Sequence, residues 1–313
     1  MSENSKIEWT DHTFNPWEGC QKVGPGCDHC YAETRNARFG GGVAENWGPG
    51  APRRRTSDSN WRKPLAWNAR HAEFFAEHGR RQRVFCASLA DVFDNAVSAQ
   101  WRYSLLRLIM DTPNLDWLLL TKRIGNAAPM LEQAMRALTV GREGWADNYR
   151  DNVWIGATVV NQEEADRDIP KLMATKANVR FLSMEPLLGP VTLRNLPICG
   201  HYAALRFPPE HDRFDSLTGR NRIDWVIVGG ESGRGARPMH PDWARSIRDQ
   251  CADAKVPFLF KQWGEWLGAG QDGAYDCEPV ELNASDAPAR VGKKAAGRML
   301  DGKQHDGFPE AQP

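Results

Sequence analysis

The sequence lacks a net charge, a long apolar run and an export-type leader, and each absence excludes a class of protein. It has 40 Lys and Arg against 40 Asp and Glu among 313 residues, so it does not coat a polyanion by bulk charge. Its longest apolar runs, such as residues 117–120, fall far short of the ~20 residues that span a membrane. Because no apolar signal region follows Met1 either, we expect a cytoplasmic protein without a membrane partner.

Cysteine is also scarce, and its distribution is uneven. The seven cysteines form an odd count in a chain without an export signal, which argues against a disulfide framework. Cys20, Cys27 and Cys30 lie within eleven residues, with the spacing C-x6-C-x2-C, in a segment rich in glycine turns. The other four are scattered, and we predict them to be bystanders: Cys86, Cys199, Cys251 and Cys277.

The three clustered thiols predict a metal centre. Thiolates are soft ligands that suit zinc or an iron–sulfur cluster. A structural zinc site needs four ligands, so zinc would require His29 or His12 as the fourth. A [4Fe–4S] cluster held by three thiolates leaves one iron open to bind another molecule. The missing fourth cysteine therefore favours a catalytic cluster, with zinc as the alternative.

Short apolar runs alternate with helical stretches after residue 83. This order predicts parallel strands joined by crossovers. With one more strand before Cys20, we predict an α/β fold: a partial or complete TIM-like barrel of six or seven strands over residues 1–267. An open doubly wound sheet is the alternative. The predicted strands are 84–88, 117–120, 153–158, 179–183, 225–228 and 257–260, and the predicted helices are 99–110, 127–138, 162–172 and 241–254.

Four segments depart from this alternation. They are a cysteine loop (15–33), a basic loop-rich segment (40–83), an aperiodic insertion or lid (197–223) and a C-terminal extension expected to pack on the barrel (268–313). Residues 53–83 contain nine Lys and Arg against three acids, with Trp61 and Trp67 interleaved. This pattern indicates either a nucleic-acid face with stacking platforms or an ordinary solvated surface.

Polar residues follow every predicted strand after Val84. The dinucleotide fingerprint and the P-loop are both absent, and Gly229-Gly230 would instead let a ligand approach the backbone closely. Because parallel β/α folds place their sites at the carboxyl ends of strands, we predict one shared site. Its candidates are Ser88, Asp91, Lys122, Arg123, Thr158, Ser183, Glu185, Gly229, Gly230, Glu231, Lys261 and Gln262.

These motifs resemble known families. The cysteine loop, with Tyr31 after its last cysteine, resembles the radical S-adenosylmethionine (radical SAM) superfamily, whose commonest spacing is the shorter C-x3-C-x2-C. Nearly the whole chain looks like a phage- and prophage-associated family of three-cysteine-motif proteins of unassigned function. The segments that carry this likeness are 9–10, 15–17, 19–32, 88–93, 120–123, 183–190, 229–233, 260–264 and 296–302.

The radical SAM resemblance implies cofactors and residue roles. Cys20, Cys27 and Cys30 would hold a [4Fe–4S] cluster whose open iron binds S-adenosylmethionine, which one electron cleaves to a 5′-deoxyadenosyl radical. The resemblance implies that Tyr31 covers the edge of the cluster. It implies that the methionine part of S-adenosylmethionine is held at its ammonium group by Ser88 and Asp91 and at its carboxylate by Lys122 and Arg123. The ribose would be bound by Thr158, Ser183 and Glu185, the adenosine or substrate pocket would be lined by Gly229, Gly230 and Glu231, and the substrate would be contacted by Lys261 and Gln262.

The resemblance also implies partners. It implies a single-electron donor of the flavodoxin or ferredoxin type and a phage-encoded or bacterial origin. A nucleic acid or nucleotide is the expected substrate because of the basic segment and the phage association, with a peptide or small metabolite as alternatives. Two other functions stay open: a zinc-stabilised nucleic-acid-binding or nuclease-like protein without radical chemistry, and a non-catalytic partner protein.

Overall fold

A seven-stranded parallel sheet forms the centre of the chain. The computed structural model describes residues 4–141, 143–148, 151–197, 213–219, 221–271 and 288–310. Neighbouring strands are all parallel and lie side by side in chain order. They are His12–Thr13 (β1), Gln82–Cys86 (β2), Leu115–Thr121 (β3), Val153–Thr158 (β4), Val179–Met184 (β5), Trp225–Gly229 (β6) and Phe258–Gln262 (β7).

This strand order decides between the two predicted architectures. A doubly wound sheet reverses its order at a switch point, whereas each strand here pairs with the next one along the chain. Within the described residues, β1 and β7 are the two edges of the sheet and do not pair with each other. The predicted α/β partial barrel is therefore confirmed with seven strands, and the doubly wound alternative is wrong.

Helices follow most strands and cover the outer face of the sheet, where their apolar side chains join one large core. The predicted bounds 99–110 and 241–254 agree with the structure. The helices are Tyr31–Phe39 (α1), Asp58–Trp61 (α2), Lys63–Ala69 (α3), His71–His78 (α4), Ala99–Met110 (α5), Ile124–Leu138 (α6), Trp145–Asn148 (α7), Gln162–Ala174 (α8), Pro241–Ala254 (α9) and Lys293–Ala296 (α10).

Alternation along each strand separates the outer face from an inner, largely aromatic face. Val84 and Trp117 belong to the core shared with the helices, whereas their neighbours Phe85 and Leu118 belong to a second cluster. At Gly156 an added Cβ would lie 2.3 Å from the Phe181 ring, so glycine makes room for this inner cluster. The cluster also includes Trp9, Trp154, Val179, Phe181, Trp225, Ile227 and Leu259.

Part of the C-terminal extension covers the β7 edge. The Phe260 N–H donates to the His305 carbonyl oxygen at 2.9 Å, and the Gly307 N–H donates to the Phe258 carbonyl oxygen at 2.9 Å. Residues 272–287 of this extension, and 198–212 of the predicted insertion, lie outside the described residues. Four short antiparallel pairs complete the fold: Trp17–Glu18 with Arg54–Arg55, Leu196–Pro197 with Arg213–Phe214, Trp266–Leu267 with Ala289–Arg290, and Met299–Leu300 with Lys303–Gln304.

In the parts of the chain described above, no helix combines the length and the apolar character needed to cross a membrane.

Candidate active site

The cysteine loop (residues 15–33) lies across the carboxyl ends of the central strands. Its segment Pro25–Cys27 forms a 3-10 turn, and α1 begins directly after Cys30. A Cβ atom on Gly26 would lie 2.7 Å from Val160 Cγ1 and 3.5 Å from Lys122 Cε. Since Lys122 and Val160 follow β3 and β4, the loop rests on these strand ends more closely than a larger residue would allow.

Arg123 connects the first cysteine to the sheet. Its Nη1 lies 3.3 Å from Cys20 Sγ and 3.1 Å from Asp91 Oδ2, while Nη2 donates to the Gln21 carbonyl oxygen at 2.8 Å. Burial raises the pKa of Cys20 to about 11, against the lowering effect of the Arg123 cation. Cys20 is therefore a neutral thiol at pH 7, and a metal must displace its proton on binding.

Asp91 has no free oxygen for a ligand. Its Oδ1 accepts from the Phe93 N–H at 2.9 Å and from the Thr121 hydroxyl at 2.7 Å. Its Oδ2 accepts from the Lys122 N–H at 3.0 Å and from Arg123 at 3.1 Å. The residue is buried. Asp91 therefore holds the end of β3 and orients Arg123, which differs from the ammonium contact expected from the sequence.

Glu231 anchors the cysteine loop. The backbone N–H and Nε of Arg237 both donate to Glu231 Oε2 at 2.8 Å, and Nη2 donates to Oε1 at 2.7 Å. The same guanidinium donates to Asp28 Oδ2 at 3.0 Å and to the Pro25 carbonyl oxygen at 2.9 Å. Burial opposes ionisation, but the hydrogen bonds from Arg237 hold the pKa of Glu231 below its usual value. Glu231 thus serves as a support, in contrast to its expected place in the pocket lining.

The three cysteine thiols are not gathered into a metal-ligating group. Among the described residues, no three His, Cys, Asp or Glu side chains are close enough to hold a metal ion. Both histidines named as zinc ligands have other partners. His29 Nδ1 lies 3.1 Å from Glu231 Oε2. His12 belongs to β1, where its Nε2 lies 2.5 Å from Gln82 Oε1 and its ring stacks on Trp67 with centroids 4.1 Å apart.

Inward-facing polar side chains form a ring at the carboxyl end of the sheet. Side chains two positions apart on a strand point to the same face of the sheet. Lys122 therefore points to the same face as Leu120, and Ser183 to the same face as Phe181, and both apolar residues belong to the inner cluster or pack on it. The inner face is therefore apolar in its lower part and polar under the cysteine loop. We call this ring the polar rim: Lys122, Thr158, Ser183, Glu185 and Lys261.

Four of the five rim residues bond to one another in two pairs. Lys122 Nζ donates to Thr158 Oγ1 at 3.3 Å. Lys261 Nζ lies 2.9 and 2.7 Å from the two Glu185 oxygens, and Gln262 Nε2 donates to Glu185 Oε1 at 2.8 Å. Gln262 Oε1 is buried and has no hydrogen-bond partner in the described chain. The candidate residues at the ends of β3 and β4 are therefore in contact, as are those at the ends of β5 and β7; that all of them form one shared site stays a prediction.

The two glycines after β6 make room for protein atoms. A Cβ on Gly230 would lie 1.8 Å from the Trp263 carbonyl oxygen, and one on Gly229 would lie 3.3 Å from the Glu185 carboxyl group. They therefore let the ends of β5, β6 and β7 approach one another. That these glycines also let a ligand approach the backbone stays a prediction.

Tyr31 and Ser88 join the cysteine loop to the end of β2. The Tyr31 hydroxyl donates to the Ser88 carbonyl oxygen at 2.5 Å, while the Tyr31 side chain remains largely exposed. Asn15 Nδ2 donates to the Ser88 hydroxyl at 3.0 Å, and Asn15 Oδ1 accepts from the Leu89 N–H at 2.8 Å. Ser88 is therefore already engaged within the protein.

The basic segment is less open than its composition suggests. Arg53 is buried and bonded to Asp94 at 2.8 Å, and Arg80 binds Asp11 through two nitrogens at 2.6 and 2.9 Å. Trp61 and Trp67 are 8% and 2% exposed. They are core residues, so the predicted stacking platforms are wrong.

The scattered cysteines differ from the cysteine loop. Cys86 and Cys251 are fully buried, and burial raises the pKa of Cys251 to about 12, as expected for bystander thiols. Cys199 and Cys277 lie outside the described residues.

A cavity of about 270 Å³ adjoins the cysteine loop. Residues at the start of α6 line it together with Gln21 and Val23. Its charged lining residues are Lys122, Arg123, Arg167, Asp168 and Lys171, so cations outnumber anions there.

Two residues that hold the cysteine loop in place are not among the site residues predicted from the sequence. Arg237 contacts Asp28, 209 positions earlier in the chain, and no local motif indicates this pairing. Asn15 belongs to the Asn15-Pro16-Trp17 stretch that carries the family likeness, and this likeness could have pointed to it as a site residue.

Fold and site define the class: an α/β partial barrel with a three-cysteine loop across the carboxyl ends of its strands. The chain belongs to the family described as "Protein of unknown function (DUF5131)", whose model matches residues 4–309.

One similar solved structure is described as "Spore photoproduct lyase complexed with dinucleoside spore photoproduct". The sequence identity is 10% and the TM-score is 0.39. The match covers 82% of this chain and 65% of the other, so this chain spans less than two thirds of that protein's length. No curated protein matches the chain.

Proposed function

We propose that this protein is a radical SAM enzyme, in which Cys20, Cys27 and Cys30 hold a [4Fe–4S] cluster. The observation that carries the proposal is the position of the cysteine loop, directly over the polar rim at the carboxyl ends of parallel strands. A cofactor bound there would lie between the loop and the inner face of the sheet. This is where a parallel β/α fold presents its chemistry.

The residues suit such a cluster in donor type and in support. Three thiols in one loop supply soft ligands and leave an iron position for S-adenosylmethionine. Because the thiols are not gathered in the structure, they must converge on binding, as ligands commonly do when a metal completes its site. Arg123, Glu231 and Arg237 hold both ends of the loop for this convergence.

The rim residues supply the binding groups. When bound, the cluster provides the electron that cleaves the carbon–sulfur bond of S-adenosylmethionine. Lys122 Nζ donates to the Thr158 hydroxyl, forms no ion pair within 4 Å in the described residues, and can meet the methionine carboxylate. The hydroxyls of Thr158 and Ser183 can meet the ribose, and the unpartnered Gln262 Oε1 can accept from an incoming ligand. Lys261 stays with Glu185 on the substrate side.

We further propose a substrate that carries phosphate, of the nucleotide or nucleic-acid class. The support is the 270 Å³ cavity beside the cysteine loop, whose lining carries the cations Arg123, Arg167 and Lys171. Its one acid, Asp168, pairs with both Arg167 at 2.5 Å and Lys171 at 2.9 Å, so the lining keeps a positive excess. Phosphate contacts of this kind orient a nucleic acid beside a reactive centre. A small flavodoxin or ferredoxin is the proposed electron donor.

Anaerobic reconstitution tests the proposal. The protein is loaded with iron and sulfide, then incubated with S-adenosylmethionine and dithionite, and 5′-deoxyadenosine is measured. We expect iron–sulfur absorption near ~400 nm and formation of this product. Cys30→Ala should remove both. Cys251→Ala is the matched control, because its thiol is buried in α9, and it should retain both.

Two results would contradict the proposal. One is a fully loaded wild type that forms no 5′-deoxyadenosine, which removes the catalytic claim. The other is stoichiometric zinc that iron does not replace, which favours the zinc-stabilised alternative.

A further inference from the structure

A cavity of about 420 Å³ opens at the amino ends of β1 and β2, at the opposite end of the sheet from the cysteine loop. Its walls come from residues 8–11, 78–80, 83 and 308–309. Trp9 and Phe308 provide flat apolar surfaces, and Arg80 and Arg83 provide charge. None of these residues takes part in the proposed catalytic site.

Arg83 is an unusual lining residue because it is only 6% exposed. Its guanidinium carbon lies 4.4 Å from the Phe308 ring centroid and 5.5 Å from that of Trp154. These rings stabilise the charge by cation–π interaction, but they do not provide oxygen or nitrogen acceptors for its N–H groups. Within the described residues the side chain has no hydrogen-bond acceptor, and its Nε is fully buried without a partner. Burial of a guanidinium whose N–H groups lack acceptors is costly.

Asp11 and Asp116 attract the Arg83 cation electrostatically, but neither accepts a hydrogen bond from its guanidinium within the described residues. Asp11 accepts from Arg80 at 2.6 and 2.9 Å and from the Arg83 backbone N–H at 2.7 Å. Glu8, the other acid of the lining, is exposed. Burial, followed by the Arg80 cation, lowers the pKa of Arg83 to about 10, so the guanidinium is still charged at pH 7.

We propose that this cavity is a binding site for a small oxyanion, a carboxylate or phosphate group, which the guanidinium of Arg83 receives. An oxyanion can accept two N–H donors from one edge of the guanidinium, and it supplies the acceptor that the described residues lack. The surrounding rings exclude water and strengthen the pairing. Arg80, already held by Asp11, adds positive potential at the mouth.

Anion titration of the purified chain tests this site. Sodium phosphate and sodium acetate are added separately at an ionic strength held constant with sodium chloride. Tm and the fluorescence of the tryptophans, which include Trp9 and Trp154, are followed. We expect saturable changes with at least one of the two anions beyond those in chloride. The two arms distinguish a phosphate ligand from a carboxylate ligand.

Matched variants locate the effect. Arg83→Met keeps the stem and removes the charge, so the fitted affinity should fall at least about tenfold. Arg81→Met is the control, because Arg81 precedes the same strand but pairs with Asp116 at 3.6 Å, outside this cavity. The proposal is overturned if neither anion acts on the wild type beyond chloride, a result that needs no variant to fold. It is also overturned if Arg83→Met responds like Arg81→Met. Neither result bears on formation of 5′-deoxyadenosine.

Discussion

The guanidinium of Arg123 lies 3.3 Å from the sulfur of Cys20. It is fixed in that position by Asp91 at 3.1 Å and by the Gln21 carbonyl oxygen at 2.8 Å. The side chains of Arg123 and Asp91 are both 7% exposed, so this is a shielded contact between a cation and a prospective metal ligand. A thiolate at this position would receive a charge-assisted hydrogen bond.

Replacement of Arg123 should therefore change the electronics of a bound cluster. Hydrogen bonds and positive charge near a ligating sulfur raise the reduction potential. Arg123→Gln should lower the midpoint potential of the reconstituted cluster by on the order of 60 mV, which for one electron is a tenfold change in equilibrium. A redox titration followed by electron paramagnetic resonance measures this shift. Arg136→Gln, which breaks an exposed ion pair with Glu132, should leave the potential unchanged. If Arg123→Gln and the wild type have the same midpoint potential, we conclude that Cys20 is not a ligand of the cluster.

Arg237 should matter more for iron retention than for stability of the fold. It bonds Glu231, Asp28 and the Pro25 carbonyl oxygen, and so holds the second half of the cysteine loop. Arg237→Ala should lower bound iron severalfold after desalting, with a loss of about 1–3 kcal/mol in unfolding free energy at most. Iron analysis and denaturant titration measure the two quantities.

The control for this variant is an arginine from another part of the chain that contacts the loop containing Arg237. Arg290→Ala removes an exposed arginine that donates to the carbonyl oxygens of Gly233 and Arg234, close to Arg237 but without contact to the cysteine loop. It should bind iron as the wild type does. If both variants retain iron equally well, Arg237 is not a positioning residue.

Local sequence patterns predict much of this fold. The α5 and α9 bounds follow from apolar periodicity, and Val153–Thr158 follows from a short apolar run that ends in a polar residue. Strand alternation also explains why Lys122 and Lys261 share the polar rim. These features depend on neighbours within a few positions, which is why one sequence reveals them.

The contacts that hold the candidate site together could not be predicted in the same way. The sequence suggests that Asp91 binds a ligand, yet Thr121, Lys122 and Arg123 provide three of the four hydrogen bonds that occupy its carboxylate. Trp61 reads as a stacking platform, yet it lies against Phe14 in an edge contact with centroids 5.7 Å apart. In each case a partner 30 or more positions away decides the outcome, and composition carries no trace of it.

Replacement of Gly230 should destabilise the fold. A Cβ there would lie 1.8 Å from the Trp263 carbonyl oxygen, a backbone atom that cannot move without distortion of β7. Gly230→Ala should lower the free energy of unfolding by at least about 2 kcal/mol through overpacking. Gly189→Ala is the control, because its Cβ would meet no atom within 4 Å. Chemical denaturation measures both, and equal midpoints for the two variants would contradict the close approach.

Asp116 should make stability depend on pH. Burial raises its pKa to about 6, against the lowering effects of Arg81 and Arg83, whereas the unfolded value is 3.8. The folded state therefore holds the proton more tightly. The stability this provides is complete below about pH 4 and is lost as the pH rises through about 6.

Asp116→Asn should therefore stabilise the protein by about 2 kcal/mol at pH 8 and by almost nothing at pH 4, because the amide is never ionised. Denaturant titrations at a series of pH values measure the difference. Asp151→Asn is the matched control, since Asp151 also faces Arg81, at 3.8 Å, but its side chain is 71% exposed. That variant should change stability by well under 1 kcal/mol at every pH, as is typical of exposed ion pairs. A stabilisation by Asp116→Asn that is the same at pH 4 and pH 8 would mean that relief of buried charge is not its cause.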